Sequence, residues 1–156
     1  MRLRWRQAKL AWIAISPKSD DLRGSKLEKP VHKSIKDLCS HLLEIGGESV
    51  AVQFNEPPEV CKAILKFGEI TPSNNLKMVK GDERECHANS AVLWSKNRKK
   101  YFLVTGFALS DDGTWRRHSW VKTVDGKLIE TTIKREVYFG MTLEEEIAEA
   151  FLQVYH

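Results

Sequence analysis

The sequence predicts a single α+β domain in which helices pack on a small antiparallel sheet, on three observations. Apolar residues recur at helical spacing at Val31, Ile35, Leu38 and Leu42. The run from Tyr101 to Ile133 divides into three strand-like segments separated by short Asp/Gly turns. The pattern Thr142-Leu143-Glu144-Glu145 reads as a capping box that opens a final helix. A chain of 156 residues holds one domain with a proper core, and 42% hydrophobic against 29% charged residues excludes a disordered polymer. Five tryptophans need a deep interior or a cleft wall to cover them.

Residues 1–30 are expected to form a basic arm, broken by Pro17, Gly24 and Pro30, ahead of a domain over 31–156. Up to Lys36 there are ten Lys/Arg against three Asp/Glu, a net of +7, whereas the remainder carries a net of −3. Such an arm suits contact with nucleic acid or an acidic partner, and equally a solvated leader. Ala11-Trp12-Ile13-Ala14-Ile15 after Arg2, Arg4, Arg6 and Lys9 has the outline of a signal peptide. The apolar run is short for one, and Pro17, Lys18 and Asp20 end it. Nothing approaches the roughly 20 apolar residues of a membrane span. Three cysteines without a C-x-x-C pair argue against a disulfide framework and against structural zinc, so a cytoplasmic protein with reduced thiols and no metal or cofactor is expected.

Along the domain, a helix is predicted from Val31 to Glu44, stopped by Gly46-Gly47, and a short strand over Ser49–Phe54. Pro57-Pro58 opens a second helix to Phe67, and Thr71–Gly81 reads as a surface loop. Asp82-Glu83-Arg84-Glu85 then places acidic residues in the first turn of a helix that carries Cys86, Asn89, Ser90 and Leu93 and ends near Asn97. Strands follow at Tyr101–Leu109, Trp115–Val124 and Lys127–Ile133, forming a meander. A last helix runs from the capping box to about Tyr155.

A thiol at a helix start feels the positive end of the dipole and unpaired N–H donors, and both favour the thiolate. An imidazole beside it takes the proton or pairs with the thiolate, and a third polar group orients the ring. The segments Glu85-Cys86-His87-Ala88-Asn89-Ser90-Ala91, His118-Ser119-Trp120-Val121 and Ile129-Glu130-Thr131-Thr132 resemble, in order and spacing, the signature regions of the transglutaminase-like and papain-like superfamily. That resemblance covers Asp82 to about Gly140. It implies a papain-like or transglutaminase-like core, with Cys86 as nucleophile, His118 as base and Glu130 as orienting carboxylate, acting on a protein or peptide-like substrate. Glu130 departs from the usual Asp or Asn. The implied reaction is thiol-dependent acyl transfer, as hydrolysis or transamidation, whether in a protease, an amidase or an effector that modifies a host protein. A binding module that keeps the fold without catalysis is the alternative.

Strand register bears on that triad. A two-residue Asp125-Gly126 loop puts Glu130 opposite Val121, on the face away from His118. A three-residue Val124-Asp125-Gly126 loop with a left-handed Gly126 puts it opposite Trp120, on the face of His118; the resemblance favours this second register. Cys39 and Cys61 read as core residues on helices, and a strand His beside a Trp suits a packed core as well as a site. His87 lies about 100° around the helix from Cys86 and is set aside as base. His32 and His41 fall on a surface-like helix. Asn89 reads as satisfying backbone groups, though it stands with Gln53 and Trp120 among oxyanion or substrate-side candidates, and Trp120 is expected to cover the His–carboxylate pair.

Overall fold

The computed structural model describes residues 32–52 and 56–156. The expected basic arm and Gln53 fall outside the described residues. Helix α1 (Lys33–Ile45) starts where the His32 ring accepts the Ile35 N–H at 3.3 Å. Strand β1 (Ser49–Ala51) is shorter than the Ser49–Phe54 expected. Helix α2 (Pro58–Phe67) has proline in its first turn, where a missing N–H leaves no bond unmade.

The stretch expected as a surface loop holds two strands instead, β2 (Glu69–Pro72) and β3 (Leu76–Met78), joined by a 3-10 turn. Helix α3 runs Cys86–Lys96, and strands β4 (Tyr101–Leu109), β5 (Thr114–Thr123) and β6 (Leu128–Glu130) form the expected meander. A further strand, β7 (Val137–Thr142), pairs with β4, and α4 spans Glu145–Tyr155. Thr142 therefore ends a strand and caps nothing. Glu144 is the N-cap of α4, with no side-chain capping bond, because the chain leaves β7 extended before it turns.

The sheet is mixed, not purely antiparallel. It has seven strands in the order β2-β7-β4-β5-β6-β3, with β1 pairing separately with β5, and β1–β5 and β3–β6 are parallel. One face carries Leu103, Phe107, Trp115, Val121 and Phe139 and packs on Leu38, Leu42, Ile64, Trp94 and Phe151 of the four described helices. The other carries Val104, Ala108, Trp120, Leu128 and Tyr138. Successive strand residues alternate between these faces, so His118 shares the second face with Trp120. Cys61 is sealed among the helices, where burial, and then the charge of Glu56, pushes its thiol up to about 12. No helix among the described residues is long and apolar enough to cross a membrane.

Two features of β5 position the site. The turn to β6 has three residues, with Gly126 at φ 84° and Thr123 N–H bonded to Lys127 O at 2.9 Å. Pairing of Val121 with Ile129 extrapolates to Trp120 opposite Glu130, which is the register that brings Glu130 to His118. On the same edge of β5, β1 pairs with Thr114–Arg116 and β6 with Val121–Lys122. Between them lies an interval with no strand beside it among the described residues, and the start of α3 docks there.

Gly140, across from Gly106 on β4, lets Trp120 lie flat on the sheet: a Cβ at Gly140 would stand 2.5 Å from the indole ring and 2.7 Å from the Thr105 carbonyl oxygen. Gly140→Ala is expected to cost about 2 kcal/mol or more in urea unfolding, as overpacking against backbone cannot relax. An unchanged unfolding midpoint would contradict this packing.

Candidate functional site

Cys86 is the first residue of α3. The acidic residues expected in its first turn precede the helix instead. Asn89 holds them back, accepting the Asp82 N–H at 3.1 Å and donating its own amide to the Asp82 carbonyl at 2.7 Å. The chain then turns through Arg84 at φ 63° and enters the helix at Glu85, the N-cap. Asn89 therefore staples the loop before Cys86. The first intrahelical bond is Asn89 N–H to Glu85 O at 2.8 Å, which leaves the N–H groups of Cys86, His87 and Ala88 without intrahelical partners. Those dipoles favour negative charge at the half-buried Cys86.

His118 is 3% exposed, and its Nε2 lies 2.7 Å from Glu130 Oε2. The same ring acts on the Cys86 thiol, and each of the two shifts the titration of the other. With Nε2 committed to the carboxylate, Nδ1 is the atom left for the sulfur. Burial works against charge on both partners. The mutual hydrogen bond, the second bond to Glu130 and the opposed charges outweigh it, raising the His118 imidazole to about 9. On the thiol, burial is outweighed by the bond and charge of His118 and by the Ser119 N–H, so Cys86 is held below its usual range. Both shifts favour the thiolate–imidazolium form of the pair.

Glu130 is fully buried, and a bare carboxylate there would be prohibitively costly. It is bare on neither oxygen. Oε2 accepts His118 Nε2 and the Tyr138 hydroxyl, each at 2.7 Å. Oε1 accepts the N–H groups of Thr131 and Thr132 at 2.9 Å and the Thr132 hydroxyl at 3.0 Å. The extra methylene of Glu over Asp lets the carboxylate fold back onto its own following residues while still reaching the ring. Against its burial, His118, the Thr132 N–H and Tyr138 hold Glu130 below the usual carboxylate range. The Tyr138 hydroxyl in turn accepts the Arg135 N–H at 3.0 Å.

Trp120 is 1% exposed and stacks on His118 at 6.2 Å between centroids, with Tyr138 edge-on to it at 5.1 Å. It screens the His118–Glu130 pair and has no surface to offer a substrate, so it is not a substrate-side residue. A groove of about 430 Å³ passes the first turn of α3, walled by Glu85, Ala88, Asn89 and Thr131 among others. His87 points away from the thiol, with Nδ1 2.6 Å from Ser119 Oγ. No group of three or more His, Cys, Asp or Glu placed to hold a metal ion occurs among the described residues.

Four contributors were not read from the sequence: Tyr138, Ser119 and the N–H groups of Thr131 and Thr132. Alternation in Val137–Thr142 was the available signal for Tyr138. Backbone donors leave no mark in a sequence. The chain matches no protein-family model, no curated protein and no solved structure, so its function has to be argued from this geometry.

A thiolate at rest is alkylated at pH values where ordinary thiols are not. At pH 6, iodoacetamide is expected to label Cys86 well before Cys39 and Cys61, both of which burial holds above their ordinary range. Peptide mapping by mass spectrometry checks this, and equal labelling of the three would refute the ion pair.

Proposed function

We propose that this chain is a thiol-dependent acyl-transfer enzyme that uses a Cys86–His118–Glu130 triad, with a papain-like or transglutaminase-like core. The observation that carries the reading is the 2.7 Å bond from His118 Nε2 to a buried, five-fold hydrogen-bonded Glu130, in a ring that also lowers the Cys86 thiol. A purely structural histidine needs one partner for its N–H. Here the ring is held from one side by a carboxylate and loaded with a proton on the side of a thiolate, the arrangement nucleophilic catalysis requires.

In this reading the Cys86 thiolate attacks the carbonyl carbon of an amide, isopeptide or ester, and the oxyanion is met by the unpaired N–H groups at the start of α3. His118 gives its Nδ1 proton to the departing amine or alkoxide as the tetrahedral intermediate collapses to a thioester. Water or an amine, deprotonated by the now neutral His118, attacks the thioester and releases the product and the thiolate. Hydrolysis is preferred because water is the default acceptor. Glu130 keeps its charge throughout and stabilises the imidazolium.

The experiment is turnover of an activated acyl ester across pH. The competent form needs Cys86 deprotonated and His118 protonated. Activity should therefore rise on an acidic limb set by the lowered thiol, hold a plateau, and fall on an alkaline limb near pH 9. Cys86→Ala and His118→Ala should abolish turnover. Glu130→Gln should cost about 10²-fold or more in kcat, since it cannot support the imidazolium. Activity that survives Cys86→Ala, or lacks the alkaline limb, would overturn the assignment.

A further inference from the structure

Three residues of the first turns of α3 converge on one residue of β5. Ser119 is fully buried, in the interval of the β5 edge that has no strand beside it among the described residues. Its N–H favours the thiolate of Cys86, and its carbonyl accepts the Ser90 hydroxyl at 3.0 Å. Its hydroxyl donates to Thr105 Oγ1 at 2.9 Å and lies 2.6 Å from His87 Nδ1. Since the single hydroxyl proton is spent on Thr105, the close contact with His87 requires Nδ1 to be the donor. Thr105 is itself anchored, accepting from Arg117 Nη1 at 3.3 Å, and Arg117 is tied to Glu56 through Nε at 3.2 Å and to the Gly106 carbonyl at 2.9 Å.

We infer that His87 is a positioning residue that, through Ser119, holds the Cys86 thiolate against the open edge of β5. The inference rests on the thiolate reading of Cys86 and adds a residue to it that touches neither sulfur nor substrate. Three bonds are needed because a helix end docked on a strand edge can slide along it. The bonds from Cys86 and Ser90 engage the two backbone groups of Ser119, and neither fixes the side chain that sets the pitch of the turn. His87 supplies the third point, on the opposite side of the helix from the loop stapled by Asn89. Its ring is fixed by packing on Tyr155 at 4.9 Å and edge-on to Phe151 at 5.8 Å between centroids. Burial, and then the charges of Arg117 and His118, hold it neutral, down to about 3. It therefore adds no second positive charge beside the imidazolium that serves as counter-ion to the thiolate. The charged or titratable groups that bear on the thiol are His118 from β5, Glu130 from β6 and Tyr155 from α4, and none of them changes when His87 is replaced.

The test is the rate of Cys86 alkylation by iodoacetamide as a function of pH, on the full chain. In His87→Phe the ring volume is kept and the donor is lost. The acidic limb should then move up by about one unit, an about tenfold slower reaction at pH 6, while the rates converge above the thiol pKa. His87→Asn, whose amide N–H stands near the position of Nδ1–H, should recover most of the loss. Ser119→Ala, which keeps the backbone N–H and removes the hydroxyl that His87 grips, should move the limb in the same direction, and it decides the question if the Phe variant does not fold. A limb that stays in place in both variants overturns the inference. So does an equal slowing at every pH, which is what a general loosening of the fold would give, or an Asn variant no better than Phe. If instead the unaltered chain labels Cys86 no faster than Cys39 at pH 6, the thiolate reading itself fails, an outcome these variants do not mimic.

Discussion

A carboxylate with no exposed surface sits at the end of β6, and much of the surrounding structure consists of what makes that charge tolerable. Burying an unpaired ion costs several kcal/mol even after relaxation, far more than any single packing contact returns. Glu130 escapes that cost by drawing donors from three places: the β5 imidazole, the β7 phenol and its own following backbone. Each donor demands something of the fold. The imidazole needs the three-residue turn at Gly126, the phenol needs β7 to lie beside β4, and the backbone N–H groups need the chain to leave β6 after Glu130. The side chain that holds the His118 ring thus also explains the register of the sheet around it.

The second constraint is the interval of β5 that has no strand beside it among the described residues. A central strand with free N–H and C=O groups must satisfy them, and here a helix start does so in place of a strand. The arrangement couples two needs. Buried backbone groups at Ser119 find partners in Cys86 and Ser90, and the thiol is thereby placed on the boundary between the two faces of the sheet. It has the His118 face on one side and the helical core on the other. A cysteine deeper in α3 would be an inert core residue of the kind that Cys61 is.

The central hairpins, and with them the approach of Glu130 to His118, were legible because their signals are local. Alternating residues, Asp/Gly turns and a helix-opening Cys all act within a few positions of one another, and the choice of turn at Val124–Gly126 reduced to which face Glu130 occupies. What escaped was nonlocal or weakly patterned. The parallel partners β1 and β3 are only three residues long and take their stability from strands more than 50 residues away. β2 is a largely exposed edge, so its pattern resembles that of a loop. β7 was hidden by its own last residue: Thr142 with Glu145 fits a capping box in isolation, yet pairing with β4 through Thr142 outweighs a cap worth about 1 kcal/mol. Asn89 and the acidic run misled in a similar way, since a side chain that grips the preceding loop delays the helix until Cys86.

The two histidines that flank Ser119 illustrate how one short stretch separates roles that sequence alone leaves equivalent. Both are close to Cys86, one by sequence and one by pairing, and both rings are largely enclosed. Burial drives each toward neutrality. His118 has a carboxylate on one nitrogen and a thiolate on the other, and the two negative charges overcome burial. His87 has a serine hydroxyl and aromatic rings, with Arg117 as its nearest charged influence, so nothing opposes burial. A protonated His87 would compete with His118 for the thiolate and would repel it, and each cation would lower the other's pKa. The neutral ring is thus a condition for the charged one. Arg117, tied to Glu56 on the helix-facing side of the same strand, contributes to that asymmetry by disfavouring charge on His87, while Glu130 favours it on His118 from the other face.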